Sequence, residues 1–520
     1  MDRTLSKWVP ARDLTARASF TLLLLLLLIA GAVSVLNAIS KPVWHDEVFT
    51  AALCRLPSLA EILASLRNSA DSNPVGYHVI TRFLKQLVAD EHLGIRLPSI
   101  LGLLTIICCV YFILAKRVTR LSALLGAAFL LCTPLAEYGF EARPYAFTVG
   151  CIAAAILVWQ RVEEHSFYPL LLAMALAAAL STHYYAVLVW PVFGAAELLV
   201  LLRRRRLRWG VWAAFLAGLL PLAMSWKILS DFRDTMGPNF WARPSLSQLV
   251  STHDWLFLVG GHWGWTFTAG VTIVLAGWML EKAGLVAWPQ QEVAEPRPVP
   301  EEECIFALLL LWLPVVGIAV TMITHGGFTA RYMIAATMGG ALVLGLLADK
   351  LPPLFRSLLL LLFLMNYGLS SVEVLKSAAT GKLHDRRAAA EQRSVHLISK
   401  HSDLGLPVVN SSLFTYLERA FYTPPQTAGR LYGLVDPVMA LKFDGTDTID
   451  RALIALSRSF PLQLAEYDAF TAQHREFLLI VGGAGRFEWL GDRILHDGHT
   501  LTLLSMEGST RIYKVTQKPK

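Results

Sequence analysis

The chain has 520 residues, of which 55% are hydrophobic and 16% charged, with a formal net charge of +7. Soluble domains carry about 25% charged residues, and with a mean hydropathy of +0.50 a mostly water-facing globule is excluded. The basic excess falls in short clusters between apolar runs, as in Arg203, Arg204, Arg205, Arg206 and Arg208. That pattern marks a cytoplasmic membrane anchor rather than a nucleic-acid surface.

Along the chain, Arg3, Lys7, Arg12 and Arg17 precede an apolar run from about Phe20 to Ile39. The run is about 20 residues long and lacks a small-residue cleavage site, so it predicts an uncleaved spanning helix rather than a signal peptide. With this run placed at 19–39, further spans are predicted at 94–115, 121–138, 144–160, 168–182, 186–202, 210–229, 264–281, 304–324, 332–348 and 356–375. Lys116, Arg117, Arg120, Arg161, the arginine run, Lys350 and Arg356 all fall on one side of this arrangement. Loop charge therefore predicts a multi-pass protein of the cytoplasmic (inner) membrane with a cytoplasmic N-terminus and an outer tail, periplasmic or extracellular. Three stretches lie between spans: a long outer loop at 40–93, a Trp- and Gly-rich outer loop at 230–263, and a Pro- and Glu-rich loop at 282–303. Within the first, 57–68 and 77–89 have helical apolar spacing and are expected along the membrane interface.

From about 380 the character changes. Helix-like segments at 384–400, 412–421, 448–459 and 486–495 alternate with short apolar strands such as Pro407–Asn410 and Phe477–Val481. A final pair, 499–505 and 510–516, is split by Glu507-Gly508-Ser509. The predicted fold class is an α-helical polytopic membrane protein of about eleven spans (1–379) followed by a soluble α/β domain (380–520). Cys54, Cys108, Cys109, Cys132, Cys151 and Cys304 show no metal-binding spacing.

The densest polar cluster is Trp44-His45-Asp46-Glu47, just after the first span. Adjacent carboxylates at a membrane surface are costly to desolvate and need a cation, a metal or a proton; alternatively they simply favour the first turn of a helix. Other outer turns add Asp71-Ser72-Asn73-Pro74 with Tyr77 and His78, then Glu137 to Tyr145 with Glu141 and Arg143. Thr182-His183-Tyr184-Tyr185 and His325-Gly326-Gly327-Phe328-Thr329-Ala330-Arg331-Tyr332 complete the set. Singly, each suits an interfacial tyrosine or a snorkelling arginine. Together they are one-sided, because the opposite turns carry plain basic residues, and this points to an active site opening outward. His45, Asp46, Glu47 and His78 include the donors of a divalent-cation site, without the fixed spacing of a helical zinc motif. Val481-Gly482-Gly483-Ala484-Gly485 lacks a P-loop lysine and predicts a tight strand-to-helix turn.

The order of these motifs resembles the GT-C superfamily of integral membrane glycosyltransferases. The likeness is strongest to the bacterial branch of protein O-mannosyltransferases and of lipid A aminoarabinose or galacturonic acid transferases. Asp46-Glu47, Asn73-Pro74 with Tyr77 and His78, Glu141-Ala142-Arg143-Pro144-Tyr145 and Ala330-Arg331-Tyr332 carry it. The resemblance implies transfer of a hexose or pentose from a polyprenyl-phosphate donor to an envelope glycan, lipid or protein at the outer face. It implies Asp46 as the base and Glu47 as its orienting partner or cation ligand. Arg331, and after it Arg143, would meet the leaving phosphate. His45, Asn73, Tyr77, His78, Glu141, Tyr145, His183, Tyr184, His325 and Tyr332 would line the substrate site. Membrane lipids are the surroundings expected, and no nucleic-acid partner. A transporter or flippase is the rival reading, but it would place ionisable groups near the midplane and often repeat its halves.

Overall fold

The computed structural model describes residues 14–257, 298–482 and 488–518, with isolated helical positions between 269 and 279. The predicted span 264–281 as a whole, most of the loop 282–303 and the Gly483–Gly485 turn lie outside these residues. Among the described residues, five helices are long and apolar enough to cross a bilayer: α1 (Ala16–Ser40), α5 (Glu91–Ala115), Tyr184–Arg204, Trp209–Met236 and Pro353–Ala379. Glu301–Leu311 and Leu313–Thr324 are together long and apolar enough to cross, and meet at a bend of 59°. Pro314 follows the break at Trp312, and its missing N–H and ring account for the bend.

Four predicted spans are shorter helices: Arg120–Cys132, Tyr145–Trp159, Tyr168–Thr182 and Ala336–Ala348. Prolines set two of the boundaries. Pro134 ends the first and Pro144 precedes the second, because neither ring can continue the hydrogen-bonded ladder. A helix of about 15 residues is about 22 Å long, short of the roughly 30 Å hydrocarbon core. Its polar end turns therefore fall within the depth spanned by longer neighbours.

Small residues let these helices touch backbone to backbone. A Cβ on Gly102 of α5 would lie 2.5 Å from the Ala146 backbone, and one on Gly339 would lie 2.3 Å from the Leu311 amide. The apolar core runs through this bundle, from Ile106 and Val110 of α5 to Leu125, Val149, Leu310 and Ala341.

The loop after α1 is fully structured, as α2 (His45–Arg55), α3 (Leu59–Arg67) and α4 (Val75–Lys85). The helical spacing seen in the sequence is thus real. The loop helices do not simply lie along an interface, however: Ile62 and Leu66 share a core with Leu413, Leu417 and Leu453 of the C-terminal region.

That region contains β1 (Val408–Asn410), β2 (Leu431–Val435), β3 (Leu464–Glu466), β4 (Glu476–Val481), β5 (Thr500–Glu507) and β6 (Thr510–Thr516), in the sheet order β3-β2-β1-β4-β6-β5. The first four are parallel and β6 and β5 are antiparallel. Parallel neighbours need crossovers; Leu413–Tyr422 supplies one and Thr448–Ser457 another. Gly508, at φ +58, turns the β5–β6 hairpin.

Gly102→Val tests the close approach. Overpacking costs roughly 1–3 kcal/mol, and backbone cannot move aside as a side chain can. A lower melting temperature and reduced yield of monodisperse protein in detergent are expected, and an unchanged melting temperature would show that α5 and Tyr145–Trp159 do not meet as described.

Candidate active site

The first turn of α2 sets the site. The Trp44 carbonyl accepts from the amides of Glu47 (2.8 Å) and Val48 (3.1 Å), and the Glu47 carboxylate accepts from the Trp44 amide at 3.3 Å. Successive helical residues diverge by about 100°, so Asp46 and Glu47, adjacent in sequence, face different surroundings.

Glu47 faces inward. Its carboxylate takes two guanidinium bonds from Arg96, at 2.8 and 2.6 Å, and a third from the Ala142 amide at 2.6 Å. Both side chains are fully buried. Burial pushes the Glu47 carboxyl up, but Arg96 outweighs it and holds the group below its ordinary range. Arg96 also donates to the carbonyls of Ala38 (2.7 Å), Lys41 (2.7 Å) and Pro42 (3.0 Å). One ion pair therefore ties the end of α1, the start of α2, α5 and the 141–143 turn together. Glu47 does not line the cavity beside it, and orienting Asp46 through the backbone is the part its geometry allows.

Asp46 faces a cavity of about 250 Å³ whose lining includes Asp71, Arg143, Arg331 and Tyr332. Arg331 Nη1 donates to Asp46 Oδ2 at 2.8 Å, and Arg143 Nη1 donates to the Asp46 carbonyl at 2.9 Å. Arg143 also lies 3.9 Å from Asp71 Oδ2. Asp71 is held by the Ser72 amide (2.6 Å), by the Asn73 amide group (3.2 and 3.0 Å) and by His78 at 3.4 Å. Burial alone would raise both carboxyls. Arg331, then Arg143, keep Asp46 below the ordinary carboxylate range, and Arg143, then His78 and Asn73, do the same for Asp71. Desolvation by itself would carry Asp46 towards neutral pH, and the two neighbouring cations reverse that.

The guanidinium groups are not saturated. The Nε atoms of Arg143 and Arg331 are buried without a hydrogen-bond partner among the described residues. Orphaned buried donors call for an explanation, and an anionic ligand supplies one. Around them Tyr332 stacks near Tyr185 (4.5 Å) and His183 (5.3 Å), and Tyr145 lies 5.3 Å from His183. The Arg331 guanidinium sits 6.0 Å from the Tyr145 ring centre.

The other predicted residues distribute as follows. Tyr77 and His78 are fully buried, His78 beside Asp71. Glu141 pairs with Lys41, and its carbonyl accepts from Ser99 at 2.6 Å. Tyr184 lies outside the cavity lining. His325 is exposed in a left-handed turn (φ 54) that ends Leu313–Thr324, also outside the lining. Three residues went unselected in the sequence. Arg96 was hidden inside the predicted span 94–115. Asp71 carried a signal, since Asp-Ser-Asn before proline is a self-bonding turn. Glu418 carried none: it accepts from the His45 amide and from His45 Nδ1, both at 3.0 Å, across 373 residues of chain. Among the described residues no three His, Cys, Asp or Glu side chains gather as a metal site; Asp46 and Asp71 have guanidinium partners instead.

Residues 72–228 match the family model described as dolichyl-phosphate-mannose-protein mannosyltransferase. The fold is similar to that in the crystal structure of ArnT from Cupriavidus metallidurans bound to undecaprenyl phosphate, with a TM-score of 0.56 and 13% identity over 96% of this chain and 98% of that one. The apo form of the same protein gives a TM-score of 0.54 at 13% identity, over 95% and 98% of the two chains. No curated protein matches the chain in sequence. The bundle and the C-terminal sheet are those of a polytopic membrane fold of this kind. The fold is thus of the GT-C type, and the family match lies within its bundle at residues 72–228.

Glu47→Gln separates an anchor from a reacting group. It leaves Arg96 charged and unpaired in the interior, a change that costs about 3–5 kcal/mol. Thermal unfolding in detergent is expected to shift down sharply, with activity lost alongside stability. A normal melting temperature with activity abolished would instead place Glu47 in the chemistry.

Proposed function

We propose that the protein transfers a sugar, a hexose or pentose, from a polyprenyl-phosphate-linked donor to an acceptor on the outer face of the cytoplasmic membrane. The observation that carries this reading is the pair of unsaturated guanidinium groups beside Asp46, at one end of a membrane bundle. Loop charge supports a cytoplasmic N-terminus, which puts the site and the C-terminal α/β domain outside. On this reading residues 1–379 form the transferase unit and 380–520 its outer appendage.

As the bond from sugar to phosphate oxygen breaks, negative charge gathers on the departing polyprenyl phosphate. Arg331 and Arg143 offer fixed donors to it, which stabilises the transition state more than the ground state. The acceptor hydroxyl attacks the anomeric carbon, and its proton passes to Asp46. Before donor binds, Arg331 holds Asp46 as a weak base. A phosphate that draws Arg331 away removes that restraint and leaves the buried carboxylate more basic, so donor binding itself prepares the base. Asp71 then keeps Arg143 in place.

Asp46→Asn keeps the shape and removes the basic charge. Turnover should fall by about 10²–10⁴-fold with the fold intact, as read by donor-to-acceptor transfer in purified enzyme; near-normal turnover would put the base elsewhere. Arg331→Lys keeps charge but loses the planar fork, and should cost roughly tenfold, about 1.4 kcal/mol of barrier. A residue that merely snorkels would tolerate lysine.

The pH dependence has a definite sign. Because the free-enzyme carboxyl is depressed, the Asp46–Arg331 pair is fully formed above the ordinary aspartate value and is lost as pH falls through the lower folded value. The acid limb of kcat/KM should therefore lie below about pH 4, and that of kcat, read with donor bound, should lie higher. Coincident limbs would contradict a donor-induced release of Asp46. Reporter fusions after Arg206 and after residue 400 should score cytoplasmic and external, respectively.

A further inference from the structure

A second cavity, of about 830 Å³, adjoins the first and shares Phe240, Trp241 and Thr446 with it. Ligand sites run about 300–1,000 Å³, so it is large enough for several sugar rings. Three distant segments wall it: the stretch after the Trp209–Met236 helix, the turn just before Arg331, and the turn ending Pro437–Asp444. They are fastened to one another. The Phe328 amide donates to the Ala242 carbonyl at 2.7 Å, and Thr446 Oγ1 donates to the Asn239 carbonyl at 2.7 Å. The C-terminal region thus forms one side of the space, and the segment carrying Arg331 forms another.

We propose that this cavity is the acceptor site and that the acceptor it takes is an uncharged glycan; the proposal rests on the glycosyl-transfer reading above. The lining joins aromatic rings (Phe240, Trp241, Phe328) to neutral polar groups (Gln248, Thr252, Thr329). That pairing suits a pyranose, which presents an apolar C–H face to a ring and equatorial hydroxyls to amides and hydroxyl groups. The Thr329 hydroxyl is buried with no hydrogen-bond partner among the described residues, so the wall holds an unmet polar group of the right kind. Gln248 Oε1 accepts from the Ser245 amide at 2.9 Å, which fixes the amide and leaves its N–H groups for a ligand. Charge argues against a phosphorylated acceptor. Arg243 is the one cation among the described lining residues, and the carboxylate of Asp444 lines the same cavity. A glycan hydroxyl passing Phe240 and Trp241 arrives at Asp46, while the phosphate of the donor stays with Arg331 and Arg143.

The test uses the full-length enzyme in detergent with polyprenyl-phosphate-linked sugar. The acceptors are neutral oligosaccharides and the same oligosaccharides carrying a phosphate monoester. Two rates are followed by mass spectrometry: transfer to the oligosaccharide and slow hydrolysis of the donor by water. Neutral acceptors should be preferred. Gln248→Trp, which fills the cavity, and Thr329→Val, which removes the hydroxyl, should each raise acceptor KM by about tenfold or more. Donor hydrolysis and donor affinity should be unchanged in both. Wild-type acceptor KM in both variants, or a preference for phosphorylated acceptors, would overturn the proposal while leaving donor chemistry standing. Absence of donor binding and hydrolysis in the wild-type enzyme would sink the glycosyl-transfer reading itself, and this proposal with it. Gln248→Ala guards against misfolding, since it removes the amide without adding bulk and should also raise acceptor KM.

Discussion

Glu47 and Arg96 lose all contact with water, and the desolvation of two charges is repaid only when every hydrogen-bonding position is used. Here that condition is nearly met. Four N–H bonds converge on the carboxylate, and the guanidinium reaches three carbonyls at the end of α1 as well. The consequence is positional. Once Glu47 is clamped, the first turn of α2 has one orientation, and Asp46, about 100° round the helix, must face the cavity. A pair like this need not add stability over apolar packing; its value is that no other register of α2 satisfies Arg96.

The cavity then holds two carboxylates and two guanidinium groups, Asp46 and Asp71 with Arg143 and Arg331. Their charges balance, but the balance is shared unevenly. Each arginine keeps an orphaned N–H and each carboxyl is held in its charged form. An entering phosphate is favoured by those N–H groups and competes with Asp46 for Arg331. On the proposed reading, phosphate binding and the Asp46 pair are therefore alternatives for the same guanidinium, so binding the donor frees the base.

Much of this was legible in the sequence, and what was missed failed for physical reasons. The apolar runs, the amphipathic loop helices and the one-sided polar turns follow from composition and periodicity, which report local preference directly. Short strands such as β2 and β3 were not named, because three to five residues in a parallel sheet carry too little periodicity to separate from helix. The sequence put Asp46 and Glu47 together as a pair; the helix parts them, since adjacency in sequence is not adjacency in space. Asp71 stood in plain view, but only the fold brings it to Arg143. Glu418 had no local mark at all, because its partner His45 is specified by packing across the whole chain.

The position of Glu418 bears on what the C-terminal region is for. Besides its two bonds to His45, Tyr422 accepts from the Val43 amide at 2.6 Å, and Phe414 lies 4.2 Å from the His45 ring. One short helix, Leu413–Tyr422, therefore braces the residues just before Asp46, while Ile62 and Leu66 bury their apolar faces against the same region. The loop after α1 has too little apolar surface to form a core alone. It gains one by sharing with the C-terminal region, whose helices and the turn before Thr448–Ser457 contribute Phe414, Ile449 and Thr446 to the cavity wall. An appendage held only by a linker would leave Asp46 on a frayed helix end. Here the Asp46 turn is gripped from both sides, by Glu47–Arg96 from the bundle and by Glu418 from the Leu413–Tyr422 helix. The geometry of the cavity is thus a joint property of the two, and neither fixes Asp46 by itself.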